Sequence, residues 1–225
     1  MSPASPRRAG RPKQAILTRE LIIDSAIELS KEVGAEGFSM KLLAERLGVQ
    51  PPALYNHVAN RSEVVNAMRA KITSDFGMDY FDDIPWHEAL VPWARAYRDA
   101  FAAHPQTIAL LAVLPLGDEE VVLLKYEAVF SALHRQGWPL SELASVVVAL
   151  ESFIIGSALD VLAPEDNQAP GSLADRAPTM HAALNARKAA AKAAGAAAAD
   201  VTFEFGLRLL IEALRNRLRQ FDSER

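Results

Sequence analysis

The chain has 225 residues, contains no cysteine and carries a formal net charge of −4. The absence of cysteine excludes disulfides, thiolate metal sites and cysteine nucleophiles, and the five histidines are too scattered for a zinc-type site. The sequence therefore predicts neither a metal nor a cofactor. The N-terminus is polar and lacks an apolar core like that of a signal peptide, which favours a cytoplasmic protein.

The most apolar stretch of the chain, residues 144–163, also contains Glu151 and Asp160. Charged side chains are costly inside a bilayer, so the stretch predicts a core helix rather than a membrane span. No membrane partner is expected.

The first 75 residues are net basic, whereas the remainder of the chain carries the acidic excess. Arg7, Arg8, Arg11 and Lys13 all precede the first acidic residue, Glu20. Charge alone leaves two interpretations open: a basic arm that contacts a polyanion, or a solvated tail.

Apolar side chains recur at helical spacing along most of the chain, and strand patterns are nearly absent. The pattern predicts an all-α fold. In the first 75 residues, helices are expected at about 18–33, at 40–47, within 48–58 and from about 60. Later helices are expected at about 86–103, 105–114, 119–136, 141–162 and 201–221.

Residues with capping chemistry mark several of these boundaries. Thr18 and Ser39 stand where a side-chain oxygen can accept a hydrogen bond from the first helical turn. Asn60 and Glu63 have the spacing of a capping box. Gly34 is expected to end the first helix.

Residues 48–58, GVQPPALYNHV, have the pattern of a helix-turn-helix. Gly48 supplies the positive φ that a tight turn requires, and Leu54 and Val58 can hold the following helix against its neighbour. The two prolines are tolerated because main-chain N–H groups in a first helical turn lack intrahelical partners.

The side of this short helix away from its apolar residues carries Ala53, Tyr55, Asn56 and His57, with Gln50 before it. These side chains offer donors, acceptors and apolar surface to base edges and phosphates. A plain solvated face, the alternative, usually carries Lys and Glu, and neither occurs in this stretch. The pattern therefore favours DNA recognition.

The segment LTRELIIDSAIELSKEVGAEGFSMKLLAERLGVQPPALYNHVANRSEVVNAM resembles the DNA-binding domain of the tetracycline-repressor (TetR) family over about residues 16–72. A weaker resemblance to the C-terminal domain of the tetracycline repressors starts near Trp86 and includes 134–138 and 203–211. The resemblance implies an all-helical homodimeric repressor whose larger domain binds a small effector and pairs through a four-helix bundle.

The expected domains follow from this resemblance. They are a basic flexible arm (1–15), a helix-turn-helix DNA-binding domain (16–75) and an effector-binding and dimerisation domain (76–225). Residues 77–85 are expected to form a linker, and 163–200 a mobile loop and a loosely packed alanine-rich segment.

The resemblance also implies which side chains face an operator in double-stranded DNA. They are Lys41, Pro51, Pro52, Ala53, Tyr55, Asn56 and His57, with Arg61 on a phosphate and Arg11 in the minor groove; Gln50 joins them from the residue pattern alone. Tetracycline repressors have Gln in place of Pro51 and Thr in place of Ala53. Two polar base contacts are thus missing, and a different operator is expected.

The expected effector pocket is apolar. Leu111 and Ser152 occupy the positions of two histidines that serve the tetracycline–magnesium site, so this ligand is not expected. The other candidate pocket residues are Trp93, Tyr97, Leu114, Val129, Phe130 and Phe153. Together they favour an aromatic or apolar effector, although each alone also fits an ordinary core position.

Helices 141–162 and 201–221 are expected to pair two protomers. Small or apolar residues on them favour close contact: Ala149, Phe153, Gly156, Ala158, Leu207, Leu210, Ile211 and Leu214.

Two alternatives remain open. One is a DNA-binding dimer without an effector, whose body serves protein interaction; a cavity of a few hundred Å³ would argue against it. The other is an enzyme that uses Glu151 and Asp160 as an acid pair, but the sequence supplies no nucleophile or metal cluster beside them. No enzymatic activity is therefore expected.

Overall fold

The structure, a computed structural model, describes residues 16–74, 77–78, 80–112, 114–116, 119–164 and 166–223. Regular structure within these residues is entirely helical, which confirms the predicted all-α class. The helices are α1 (Arg19–Gly37), α2 (Met40–Leu47), α3 (Pro51–Leu54), α4 (Arg61–Ile72), α5 (Tyr80–Asp83), α6 (Trp86–Ala102), α7 (Pro105–Ala112), α8 (Glu120–Arg135), α9 (Leu140–Asp160), α10 (Pro178–Ala194) and α11 (Ala198–Ser223), with a 3₁₀ helix at Gly171–Arg176. The predicted basic arm, including Arg11, lies outside the described residues.

Side-chain caps begin the first helices as the sequence predicts. The side-chain oxygens of Thr18 and Ser39 each accept a main-chain N–H from the first turn of α1 and of α2. Asn60 Oδ1 accepts the N–H of Glu63 at 2.9 Å, while Glu63 reaches back to the N–H of Ala59 at 2.6 Å. The reciprocal contact therefore falls one residue earlier than in a standard capping box.

Two glycines take left-handed backbone angles, with different outcomes. Gly48 has φ 67° and ends α2, as predicted. Gly34 has φ 68° but only kinks α1, which resumes and ends at Gly37. The helical backbone is therefore interrupted at Gly34 as predicted, although a further short helical segment follows as far as Gly37. Val33, beside Gly34, and Leu42 of α2 are exposed although both are apolar.

The first four helices share a core with the rest of the protein. Ile23, Leu43, Leu54 and Met68 are buried, and α1 packs against α4 and also against α7 of the larger body. The helix-turn-helix unit is therefore joined to the body through α1 as well as through α4.

Helix α9 lies at the centre of the larger body, in contact with α6, α7, α8 and α11. It is long and apolar enough to cross a membrane, but Val147, Leu150 and Ile154 are buried against the neighbouring helices. One side of α9 is therefore apolar because it forms part of the protein core.

The segment expected to be a linker contains α5, and Phe81 from this turn is buried with its ring edge-on to Trp93 at 6.3 Å. The alanine-rich segment forms α10, in which Ala191 alone is buried. Loose packing of this helix is as predicted, because alanine favours helix but buries little surface.

Part of the stripe proposed for protomer pairing belongs to the core instead. Ala158, Leu207 and Ile211 are buried within the protomer. The large apolar side chains exposed on α9 and α11 are Leu140, Val148, Leu159, Phe205 and Leu209. Periodicity identified the apolar helices but not which side of each faces its own chain.

Candidate nucleic-acid interface and cavity

Helix α3 is a single turn that opens on Pro51 and Pro52. Leu54 and Val58 anchor it because both are buried almost completely. Tyr55 follows directly, and its side chain is 50% exposed. The α3 turn thus exposes polar side chains to solvent while the buried side chains of Leu54 and Val58 hold it against the core.

The predicted DNA-contacting residues are mostly at the surface. Lys41 on α2 has a side chain that is 80% exposed, with Glu45 3.9 Å away. Gln50, Pro52, Tyr55, Asn56 and His57 are exposed, whereas Pro51, Ala53 and Arg61 are half-buried. The side chains of Gln50, Tyr55, Asn56 and His57 are therefore accessible to a partner.

Arg61 is the first residue of α4. Its guanidinium lies 5.6 Å from the ring centre of Phe38, which is itself buried. Stacking on an aromatic ring restrains the guanidinium beside the start of the helix, where an anion would also meet unpaired N–H groups.

A cavity of about 600 Å³ lies in the larger body, between α4 and the helices α6 to α9. Five predicted pocket residues line it: Tyr97, Leu111, Leu114, Phe130 and Ser152. Trp93 and Val129 line a neighbouring cavity of about 30 Å³, in which Tyr97 also takes part. The cavity therefore unites most of the residues that were proposed separately.

Phe153 is not among the residues that line either cavity. Its ring stacks on Phe203 of α11, with 5.6 Å between the ring centres, and lies against Gly206. Because Phe153 follows Glu151 by two residues, its side chain is turned by about 200° around α9. The placement of Phe153 in the pocket was therefore wrong.

Sequence reasoning missed a polar cluster on the cavity wall, formed by Tyr97, Tyr126 and Glu151. Glu151 Oε1 accepts a hydrogen bond of 2.7 Å from the hydroxyl of Tyr97 and a second from Tyr126. Burial, reinforced by the negative charge of Glu151, raises the pKa of each phenol well above its usual value. Both phenols therefore stay protonated and donate to the carboxylate.

The second missed residue is Arg69 of α4, whose side chain is buried although it lines the cavity. Its guanidinium donates to Asn66 Oδ1 at 3.2 Å and to the main-chain oxygens of Leu111 at 2.7 Å and Leu114 at 3.3 Å. The signal that could have found it is a charged residue on the apolar face that Val65, Met68 and Ile72 define.

Comparisons with known proteins match both parts of the chain. Residues 22–68 match the family described as bacterial regulatory proteins, tetR family. Residues 82–218 match the family described as tetracyclin repressor-like, C-terminal domain. The chain belongs to the TetR family. It is therefore a transcriptional regulator with a helix-turn-helix DNA-binding domain and a ligand-binding domain, and homodimers are typical of its family.

Individual TetR-family proteins match over nearly the whole chain. The tetracycline repressor protein class C of Escherichia coli is 32% identical over 204 residues, covering 88% of this chain and 90% of that protein. The crystal structure of a possible TetR family transcriptional regulator from Streptomyces coelicolor A3(2) is 25% identical, with a TM-score of 0.70 and coverage of 88% and 98%. ActR of Streptomyces coelicolor, solved in complex with actinorhodin, is 22% identical, with a TM-score of 0.66 and coverage of 91% and 99%; this likeness shows the fold alone.

Proposed function

We propose that this TetR-family protein is a cytoplasmic repressor that binds a pseudo-palindromic operator as a homodimer and is released by a small, largely apolar effector. The observation that carries the proposal is the pair of hydrogen bonds from Arg69 to the carbonyls of Leu111 and Leu114. They join the last helix of the DNA-binding unit to the wall of the cavity.

The proposed operator contacts are the exposed residues of α2, the α3 turn and the start of α4. In this proposal Tyr55, Asn56 and His57 contact base edges and phosphates in the major groove, Lys41 and Arg61 contact the backbone, and Arg11 enters the minor groove. The remaining contacts come from Gln50, Pro51, Pro52 and Ala53. Apolar residues at 51 and 53 make van der Waals rather than hydrogen-bonded contacts, which supports an operator unlike that of the tetracycline repressors.

The proposed pairing surface consists of four of the large apolar side chains exposed on α9 and α11, namely Val148, Leu159, Phe205 and Leu209. Large apolar side chains exposed together favour association with a second copy. A two-fold dimer places two α3 turns in successive major grooves, about 34–36 Å apart.

The cavity supports an effector over the alternative of a DNA-binding dimer without one, because its volume is in the range of small-molecule sites. Its walls include Phe101, Ile108, Leu111 and Phe130. No imidazole stands at 111 or 152, so a tetracycline–magnesium complex lacks the metal ligands it would need. The proposed effector is therefore apolar over most of its surface.

The proposed mechanism couples the cavity to the operator through Arg69. An effector that packs against Leu111 displaces the end of α7, and Arg69 follows the carbonyls to which it donates. Helix α4 then moves, and the two α3 turns no longer match successive grooves. The effector shifts this equilibrium only by its difference in affinity for the two states.

The experiment that tests this proposal selects DNA from a random library with the purified protein. We expect a pseudo-palindrome with half-sites about one helical turn apart and two protomers bound per site, measured by light scattering of the complex. Enrichment of an asymmetric sequence, binding of one protomer, or no enrichment above a library passed over albumin would contradict the proposal.

A further inference from the structure

A carboxylate lies on the wall of the otherwise largely apolar cavity. Glu151 of α9 is half-buried there, and Phe101, Ile108 and Phe130 line the same space. Burying a carboxylate among apolar side chains is unfavourable unless it is paired. The groups that face Glu151 therefore decide which molecules the cavity favours.

One oxygen of this carboxylate is held by two neutral donors. The hydroxyls of Tyr97 and Tyr126 both donate to Oε1 of Glu151. Within the described part of the chain, Oε2 accepts no hydrogen bond and no cationic side chain forms an ion pair with Glu151. The two phenols thus orient the carboxylate without neutralising its charge.

Arg69 lines the same cavity, but its guanidinium is engaged elsewhere. It donates to the main-chain oxygen of Leu111 near the C-terminus of α7 and to that of Leu114 just beyond. The C-terminal end of a helix carries partial negative charge, which Arg69 offsets. Arg69 therefore forms no ion pair with Glu151 among the described residues, although its charge also acts on the phenol of Tyr126.

We infer that the effector carries a positively charged nitrogen, a protonated amine or a quaternary ammonium, that lies against Glu151 beside Tyr97 and Tyr126. Its apolar body fills the rest of the cavity. A carboxylate that is already oriented needs no further ordering to receive a cation, and aromatic side chains add attraction when the cation is removed from water. The inference rests on the proposed function, since it names the chemical class of the effector.

The test uses three dansyl amides that share one fluorophore and linker and differ in the end group: trimethylammonium, its neutral tert-butyl isostere, and a carboxylate. We expect the wild-type protein to bind the ammonium probe at least about tenfold more tightly than the tert-butyl probe, which is about 1.4 kcal/mol. Fluorescence titration measures each dissociation constant.

Two variants assign the preference to Glu151. Glu151→Gln keeps the shape and removes the charge, so the two probes should bind it within about twofold of each other, with the tert-butyl affinity unchanged. Asp160→Asn makes the same charge change on the same helix outside the cavity lining, and it should retain the preference.

The possible failures are distinguishable. Equal wild-type affinity for the ammonium and tert-butyl probes, tighter binding of the carboxylate probe, or a preference that survives in Glu151→Gln overturns the inference and leaves the effector cavity in place. If none of the three probes binds, the proposed effector cavity is itself overturned.

Discussion

The guanidinium of Arg69 donates a hydrogen bond of 2.7 Å to the main-chain carbonyl of Leu111, and this contact joins α4 to the end of α7. Carbonyls in the last turn of a helix lack intrahelical partners. The carbonyl of Leu111 also accepts the N–H of Leu114 at 3.4 Å, so the guanidinium adds a second, shorter and charge-assisted hydrogen bond to it. It also gives the DNA-binding unit a direct connection to the cavity.

Replacing Arg69 with Met is expected to lower the free energy of unfolding by about 2–4 kcal/mol. The change keeps much of the side-chain volume but removes charged donors from buried carbonyls, and each such loss is worth about 1.5–3 kcal/mol. Urea unfolding followed by circular dichroism measures the effect.

Lys71→Met is the matched control on the same helix. It removes a largely solvent-exposed ion pair with Asp24, so it should cost less than about 1 kcal/mol. Equal losses in the two variants would show that the contacts of Arg69 contribute no more than a surface ion pair.

Tyr55→Ala and His57→Ala are each expected to weaken operator binding by about 5- to 150-fold, the equivalent of about 1–3 kcal/mol for a base contact. Both side chains are exposed, so the stability should stay within about 0.5 kcal/mol of wild type. Gel-shift titration at fixed salt, with the selected DNA and a scrambled sequence, measures the affinity.

Gln220→Ala, at an exposed position near the end of α11, is the control for these two variants and should bind DNA like wild type. Unchanged specific affinity in Tyr55→Ala or His57→Ala would remove that residue from the recognition face.

Gly48→Ala is expected to destabilise the protein by about 1–2 kcal/mol, the cost of a side chain in the left-handed region. Gly48 has φ 67°, and a methyl group there would meet no atom within 4 Å, so the cost is conformational rather than steric. Gly48→Asn should cost less, because Asn tolerates this conformation better. Thermal unfolding compares the two, and an equal loss would argue against the conformational explanation.

His104 links stability to pH. Burial, followed by the charge of Lys31, lowers the pKa of His104 from its ordinary value of 6.5. The unfolded chain therefore takes up a proton at a higher pH than the folded protein does. The contribution of His104 to the free energy of unfolding is therefore fully present above its ordinary pKa. It is lost as the pH falls from that value to the lower pKa of the folded protein.

His104→Gln should flatten this dependence. Urea midpoints at pH 7.5 and at pH 5.5 are expected to differ less in the variant than in wild type. Burial also lowers the pKa of His87, but His87 is present in both proteins, so the difference isolates His104. Identical pH dependence in the two would contradict the assignment.

The boundaries of the helix-turn-helix unit could be predicted because they depend on residues close together in sequence. Ser39 and Asn60 cap the helices that follow them, and Gly48 ends α2. Gly34 interrupts α1 where the sequence predicts, but the chain is helical again from there to Gly37. Local chemistry identified the conformation but not whether the helix would resume.

The cavity could be predicted only in part, because its geometry depends on pairs that are distant in sequence. Tyr97 and Glu151 are separated by 54 residues and meet only once α6 and α9 pack together. Phe153 was misplaced since α9 is apolar on nearly every side, and periodicity then identifies no unique inward face. Arg69 was missed because its long-range partners are the main-chain carbonyls of Leu111 and Leu114; its position on the apolar face of α4 signals burial but does not identify those partners.

Val148 belongs both to the lining of the cavity and to the proposed pairing surface of α9. Val148 would then contact both the effector and the second protomer. Effector binding and dimer formation are therefore coupled equilibria. By linkage, the factor by which an effector changes the dimer dissociation constant equals the factor by which association changes the affinity for the effector. An effector dissociation constant measured on this protein should therefore vary with protein concentration, and a titration at one concentration would report a mixture of the two processes.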